Sequence, residues 1–341
     1  MRRPMKKPLT LIFDYLPKSL TAALLRSPSD KGGDPPIEVA RLLPPPARTG
    51  RAKSFDGTEI AWELHGPLPS PKGPTPHLFC YGLACSINQW REQIAHFSRT
   101  NPCLVFDYRG HHASAFPKDP RLMNLSALAR DARSVVQALE IKRPVHVWGH
   151  SLGCNVALEF ALAEPGLAKS LVLLCGTIES PFHNMLGLED WLDRIMRPVL
   201  AAYASREEAY NRVWSLFMQV PGAVEVIAKL AGFNRDASTN EDIHTYAQAV
   251  MNVAPQTFFP LLIELSSGTT AAILPKIKTP ALVIAGAKDK VTPPIEQKLL
   301  ADKLGDAVYV EVPAGSHNVQ LDFGDYVCMK ATDYWRTRGL L

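Results

Sequence analysis

The stretch HVWGHSLGCNVALEFALAEP, residues 146–165, changes character at Ser151. The apolar residues before the serine predict a buried strand, and the small and apolar residues after it predict a helix. Gly149 and Gly153 flank the serine at the point where the strand must turn into the helix. The pattern G-x-S-x-G in this context is typical of a nucleophilic serine, because a strained turn projects the hydroxyl from the end of the strand. Ser151 is therefore the candidate nucleophile.

A serine hydroxyl needs a neighbouring base, and the base needs an acid that orients it. Asp289 follows the apolar run PALVIAG, and His317 follows the run AVYVEVP. The chain order Ser, Asp, His is the one found with this kind of strand-to-helix turn. We therefore predict Ser151, Asp289 and His317 as catalytic residues. Glu179, which follows another apolar run, is the alternative acid.

Two backbone amides are expected to stabilise the negative charge that forms when the serine attacks a carbonyl. One is the amide of Leu152, directly after the nucleophile. The other is the amide of Leu83, because Gly82 lets the chain after the run HLFCYG approach the serine closely. His112, with the neighbouring His111, is predicted to shape the wall of the pocket.

The remaining apolar runs define the fold class. HLFCYG, PCLVFDYRG, PVHVWGH, SLVLLCG, PALVIAG and AVYVEVP are short and do not alternate with polar residues. Such strands belong in a parallel sheet that is covered on both faces, and helical stretches lie between them. A hairpin with a turn at Asp56 and Gly57 precedes them. We predict an α/β core over residues 48–178 and 272–341, and a helical cap over 179–271.

Residues 1–47 are predicted to form a basic N-terminal arm and a proline-rich linker. The first 31 residues hold seven basic and two acidic side chains, whereas the whole chain has a formal charge of +4. The body is therefore close to neutral, and no nucleic-acid partner is expected. The arm is interpreted as a loose or packed segment, as a basic contact to a membrane surface, or as a secretory signal. The expected location is cytoplasmic, with membrane association as an option.

Cysteine usage argues against metal or disulfide chemistry. The six cysteines lack the CxxC or CxxH spacings of metal sites, and they lie in or beside apolar runs. We expect them to be buried thiols, which fits a reducing compartment. No run approaches the roughly 18 apolar residues of a membrane span.

Several segments together resemble the α/β-hydrolase superfamily, in its cap-bearing lipase, esterase and epoxide-hydrolase-like branch. The resemblance covers about residues 50–338 and includes FCYGLACSINQW, VFDYRGHHAS, GHSLGCNVALEFALAEP, LVIAGAKDKVTP and VPAGSHN. It implies an α/β-hydrolase fold with a mostly parallel central sheet. The chain departs from the family pattern at Tyr81, where histidine is usual, and at His112 and Cys154, where glycine is usual. These changes affect the expected shape of the pocket.

A serine nucleophile implies hydrolysis of a carboxylic ester through an acyl-enzyme, with no metal and no organic cofactor. An apolar, lipid-like ester is the expected small-molecule substrate, because the predicted cap is rich in aromatic residues. The candidate pocket residues are Tyr81, His112, His150, Trp191 and Trp214. Alternatives on the same three residues are an acyltransferase or thioesterase, a C–C bond hydrolase and a perhydrolase. A receptor-like binding protein with little turnover is the alternative of a different class.

Overall fold

The computed structural model describes residues 39–218, 220, 222–228, 232–234 and 238–341. The predicted basic arm lies largely outside these residues. The described part of the linker, residues 39–47, contacts the body: Leu43 is buried in the main core, and Arg41 forms an ion pair with Glu63. The side chain of Asn88 bonds the backbone of Ala40 and Leu42.

Within the described residues, eight strands form one sheet in the order β1-β2-β4-β3-β5-β6-β7-β8. The strands β3 to β8 run parallel to one another, whereas β2 pairs antiparallel with both β1 and β4. This confirms the predicted hairpin and the mostly parallel sheet of the α/β-hydrolase fold. The strands are β1 Arg48–Lys53, β2 Glu59–His65, β3 His77–Cys80, β4 Cys103–Phe106, β5 Val145–His150, β6 Ala168–Leu174, β7 Ala281–Gly286 and β8 Ala307–Val312.

Burial explains why the central strands are uniformly apolar. Every residue of β3, β4, β5 and β7 is buried, since helices cover both faces of the sheet. The strand β8 is only partly buried, because it stands at the edge of the sheet opposite β1. The parallel arrangement places the carboxyl ends of β5, β7 and β8 at the same edge of the sheet, which is where ligands bind in open α/β folds.

The helices alternate with the strands as the periodicity predicts. Leu125–Ala138 is the strongly amphipathic case, with one face buried and a cap at Asn124 whose side chain accepts from the Ala127 amide. The helices of the core are α1 Arg91–Phe97, α2 Leu125–Ala138, α3 Leu152–Ala163, α9 Pro294–Lys303, α10 Val319–Asp322 and α11 Gly324–Arg338.

In the described part of the chain, five α-helices lie between β6 and β7, and they are called the inserted helices below. They are α4 Trp191–Ala201, α5 Glu207–Met218, α6 Ala223–Ile227, α7 Asn240–Met251 and α8 Pro255–Ser266. Valines and alanines of α6 and α7 form an apolar cluster with Ala84, against which Leu83 and Phe258 also pack. Asp242, at the start of α7, forms an ion pair with Arg91 of the core. The inserted helices therefore contact the loop that follows β3.

The six cysteines all belong to the described residues, where each is buried as a free thiol. Across the same residues, no single helix is both long enough and apolar enough to span a membrane. One bent pair of segments, Pro255–Ser266 followed by Thr269–Lys276, meets both criteria only when the two are taken together.

Candidate active site

Ser151 lies at a sharp turn between β5 and α3. Its φ of 53° and ψ of −121° fall in a region that residues with a side chain rarely adopt. The backbone is held there from both sides, because the Ser151 amide donates to the Leu174 carbonyl at 3.0 Å and its carbonyl accepts from the Cys154 amide at 2.9 Å. Such strain persists only where the surroundings impose it, and it is characteristic of functional positions.

Steric contacts explain why the two positions that flank Ser151 are glycines. A Cβ atom at Gly149 would lie 2.5 Å from the carbonyl oxygen of Gly153. A Cβ atom at Gly153 would lie 2.0 Å from the carbonyl oxygen of Cys80. Any side chain at these positions would push the helix away from the sheet, so the turn at Ser151 requires both glycines.

Asp289 and His317 meet at the same edge of the sheet. Nδ1 of His317 lies 2.9 Å from Oδ2 of Asp289, and both residues are buried. The predicted pair of acid and imidazole is therefore present in the structure. The alternative acid, Glu179, lies elsewhere: its carboxylate is 4.0 Å from Nε2 of His183 and 3.9 Å from Nζ of Lys303.

The carboxylate of Asp289 accepts further hydrogen bonds that fix its orientation. Oδ1 accepts from the amides of Val291 and Thr292 at 2.8 and 2.9 Å. Oδ2 accepts from Nε2 of Gln297 at 3.1 Å and lies 2.8 Å from the Thr292 hydroxyl. These contacts hold the carboxylate in place beside Nδ1 of His317. Thr292 and Gln297 contact the candidate acid and were missed by sequence reasoning, although an aspartate that bonds amides two and three residues later is a common turn signal.

His150 holds the backbone of His317. Its Nε2 lies 2.7 Å from the His317 carbonyl oxygen, and its Nδ1 lies 3.0 Å from Oε1 of Gln89. Burial, together with the nearby His317, lowers the pKa of His150 to about 3. The neutral ring therefore donates from Nε2, since a carbonyl oxygen can only accept. His150 was predicted to line the pocket; the structure places it in a buried contact between Ser151 and the loop of His317.

The loop after β3 approaches Ser151 closely. A Cβ atom at Gly82 would lie 3.3 Å from Cβ of Ser151 and 3.1 Å from Nδ1 of His150. Leu83 follows this glycine, and Leu152 is the first residue of α3. Amides in the first turn of a helix have no acceptor within the helix, so they are available to a developing negative charge. The two predicted amides therefore lie on the segments that border the serine.

The hydroxyl of Ser151 forms no hydrogen bond within the part of the chain that the structure describes. The preceding residue, His150, has its ring centroid 5.0 Å from that of His317. Hydrogen bonds of this kind are often long in unliganded enzymes and shorten when substrate binds.

The other predicted pocket residues occupy different environments. Tyr81 is buried, and its hydroxyl accepts from the Tyr108 amide at 2.9 Å. Nε2 of His112 lies 2.7 Å from the carbonyl oxygen of Cys85, and its ring borders a surface cavity of about 470 Å³. Trp191 is 62% exposed at the start of α4.

Trp214 belongs to an aromatic group of the inserted helices. Its ring centroid is 4.4 Å from that of Phe258 and 5.5 Å from that of Phe259. Phe258 also packs against the cluster that contains Ala84, next to the loop after β3. Trp214 is thus connected to the site through Phe258.

Cys175 lies beside the acid and the imidazole, and by distance alone the three residues could hold a metal. Sγ of Cys175 and ligand atoms of Asp289 and His317 lie within 4.8 Å of one another. Burial, with Asp289 nearby, raises the pKa of this thiol well above its usual value.

Comparison with known families agrees with this architecture. Residues 76–323 match the family described as alpha/beta hydrolase fold. The chain therefore belongs to the α/β-hydrolase family, and the fold predicted from its sequence is confirmed.

Individual relatives are distant and differ in the reactions for which they are named. The chain is 28% identical to a non-heme chloroperoxidase of Streptomyces lividans, over 72% of this chain and 83% of the relative. It is 29% identical to a pimeloyl-[acyl-carrier protein] methyl ester esterase of Chromobacterium violaceum, over 66% and 79%. A solved structure of a thermophilic esterase from Thermogutta terrifontis superposes with a TM-score of 0.67 at 18% identity, over 85% of this chain and 99% of that one.

Proposed function

We propose that the protein hydrolyses carboxylic esters through an acyl-enzyme formed on Ser151. The observation that carries the proposal is the buried contact of 2.9 Å between His317 and Asp289, at the sheet edge that also presents the strained Ser151. A serine in this conformation with a positioned imidazole and carboxylate is the arrangement that acyl transfer requires.

The reaction follows from the chemistry of these groups. Nε2 of His317 accepts the proton of the Ser151 hydroxyl as Oγ attacks the ester carbonyl. The resulting oxyanion is stabilised by the amides of Leu83 and Leu152 until the C–O bond breaks. The leaving alcohol takes the proton from His317, and a water molecule then repeats the sequence on the acyl-enzyme. The products are the alcohol and the acid, and the serine is regenerated.

Two residues act on His317 without touching the substrate. Asp289 accepts from Nδ1, which leaves Nε2 free to accept the proton of the serine and stabilises the imidazolium that forms. His150 donates to the backbone of His317 and so sets the position of the ring relative to Ser151. Both are positioning residues.

An apolar acyl chain or alcohol is the substrate class that the surroundings favour. The inserted helices act as a cap that brings Phe258, Met218 and Phe217 against the apolar cluster containing Ala84. Leu83, whose amide would hold the oxyanion, packs on the same cluster. A substrate bound at this loop would meet hydrocarbon and aromatic surface, with few polar groups.

A fluorophosphonate probe tests the nucleophile. We expect the wild type to be labelled once, the Ser151→Ala variant to be unlabelled, and Ser126→Ala to behave as the wild type, because Ser126 is exposed on α2. Rates on p-nitrophenyl esters of increasing acyl length should rise from acetate to medium chains. If the folded wild type is not labelled, the proposal is wrong and a binding protein is the better interpretation.

The similarity to a chloroperoxidase favours one alternative acceptor for the acyl group. With hydrogen peroxide as the acceptor, the peroxide attacks the acyl-enzyme in place of water and a peracid is released. Peracid formation from an ester and hydrogen peroxide, measured beside hydrolysis for the wild type and Ser151→Ala, compares the two acceptors. A perhydrolase would form peracid faster than acid at equal concentrations of peroxide and ester.

A further inference from the structure

A group of three potential metal ligands lies away from the proposed active site. Glu179 and His183 follow β6 at the beginning of the inserted segment, and Glu296 lies in the first turn of α9. One ligand atom from each residue lies within 4.8 Å of the other two. They also border a cavity of about 510 Å³ that opens to solvent. The group thus joins the first residues of the insertion to a helix of the core.

The carboxylate of Glu296 is the unusual member. Glu296 is 3% exposed, and its Oε1 accepts from Nδ2 of Asn184 at 2.7 Å. Its Oε2 is buried and has no hydrogen-bond partner among the described residues. A buried carboxylate oxygen without a partner is destabilising unless a cation or a proton compensates it. The unpartnered oxygen therefore calls for a proton or a cation at Glu296, the carboxylate whose other oxygen, Oε1, faces His183.

The imidazole of His183 is oriented as a metal ligand would be. Its Nδ1 lies 2.5 Å from a carboxylate oxygen of Asp190. Its Nε2 lies 3.8 Å from Oε1 of Glu296 and 4.0 Å from Oε2 of Glu179. A histidine with a carboxylate beside one ring nitrogen and further ligand atoms facing the other is the usual arrangement around zinc.

We propose that Glu179, His183 and Glu296 bind a divalent cation, with zinc as the best match. One imidazole and two carboxylates form a ligand set found in zinc sites, and open positions would face the cavity. A tetrahedral ion with bonds of about 2.0–2.1 Å spaces its ligand atoms about 3.4 Å apart. Side-chain rotations would therefore have to shorten the two gaps from His183, 3.8 and 4.0 Å, by about 0.5 Å and bring the two carboxylates, now within 4.8 Å, to the same spacing. Lys303 contacts the other oxygen of Glu179, 3.9 Å away, and leaves Oε2 free.

A bound ion would cross-link the start of the inserted segment to α9. That helix begins at Pro294, two residues after Thr292, and carries Gln297; Thr292 and Gln297 both contact Asp289. The cation is therefore expected to raise the melting temperature of the protein. It takes no part in the ester chemistry, and its binding is measured independently of any turnover.

Isothermal titration calorimetry with zinc at pH 7.5 tests the proposal. The full-length, tag-free protein is first freed of metal by a chelator. We expect one ion per chain and a higher melting temperature. His183→Ala and Glu179→Gln, both at partly exposed positions, should each weaken binding at least a hundredfold. Asp190→Asn should weaken it by about 10- to 100-fold, as loss of a carboxylate behind a ligating histidine does.

Two controls identify the site. Glu311→Gln changes a carboxylate that borders the same cavity but lies outside the group of three, and it should bind zinc as the wild type does. His317→Ala removes the imidazole of the other group with metal-ligand spacing, and binding should again persist. The proposal is overturned if no saturable binding occurs, if His183→Ala binds normally, or if binding is lost in His317→Ala instead.

Discussion

Replacing Asp289 by asparagine keeps the shape of the side chain and changes only its hydrogen bonding. Oδ1 can still accept from the amides of Val291 and Thr292. The new NH₂ group takes the place of Oδ2, which now contacts Nδ1 of His317 at 2.9 Å and Nε2 of Gln297 at 3.1 Å. Because an amide nitrogen can only donate, Nδ1 of His317 must become the acceptor and its proton must move to Nε2.

The wrong tautomer cannot take a proton from Ser151. Loss of this orientation in a serine–histidine–aspartate site lowers kcat by about 10⁴-fold, which corresponds to about 5.5 kcal/mol of transition-state free energy. The donor of Gln297 also loses its acceptor in a buried position, which reduces the free energy of unfolding by about 1–3 kcal/mol. Initial rates on a p-nitrophenyl ester, together with urea unfolding, measure both effects.

Asp302→Asn is the matched control, because it makes the same chemical change at an exposed carboxylate of α9 that pairs with Lys298. We expect it to keep the rate and stability of the wild type. A folded Asp289→Asn protein that retains a rate within tenfold of the wild type would refute the assigned role of the carboxylate.

Further predictions concern the glycines and the buried histidines. Gly153→Ala should lower the unfolding free energy by about 1–3 kcal/mol, because its Cβ would lie 2.0 Å from the Cys80 carbonyl oxygen. Gly166→Ala is the control: a Cβ there has no atom within 4 Å, so this variant should unfold in urea as the wild type does. Gly82→Ala should lower kcat about 10- to 100-fold with little change in the urea midpoint, since it displaces the loop beside the serine; an unchanged kcat would argue against that loop as the oxyanion site. Burial, with His112 nearby, lowers the pKa of His111 from 6.5 to about 3. Between these two pKa values the unfolded chain binds one proton more than the native protein, so the free energy of unfolding falls as the pH is lowered through this range. His111→Leu should therefore reduce the slope of unfolding free energy against pH by about 1.4 kcal/mol per pH unit. An unchanged slope would show that this histidine is protonated in the native state.

The fold could be predicted because its signals are local. The apolar runs that form β3 to β7 are short and buried on both faces, and such runs between helical stretches are characteristic of a covered parallel sheet. The contact of the inserted helices with Ala84 could not be predicted, because it depends on packing between distant segments.

The site was predictable where one residue stands at a strand end, and less so where several segments meet. Asp289 and His317 could be predicted because each closely follows a strand. Their supporting contacts involve Gln297, one turn into the next helix, and His150, whose ring bridges two loops. No spacing rule in the sequence encodes such contacts. Tyr81 shows the reverse: its position beside Gly82 suggested a pocket residue, yet its ring is buried against Tyr108.

The apolar cluster that joins Ala84 to the inserted helices has a consequence under the proposed function. The loop after β3 would present the Leu83 amide to the reacting carbonyl, so a substitution such as Val250→Ala, within that cluster, would loosen the support of this amide. Substitutions in the inserted helices that change the preferred substrate would then change turnover as well as affinity.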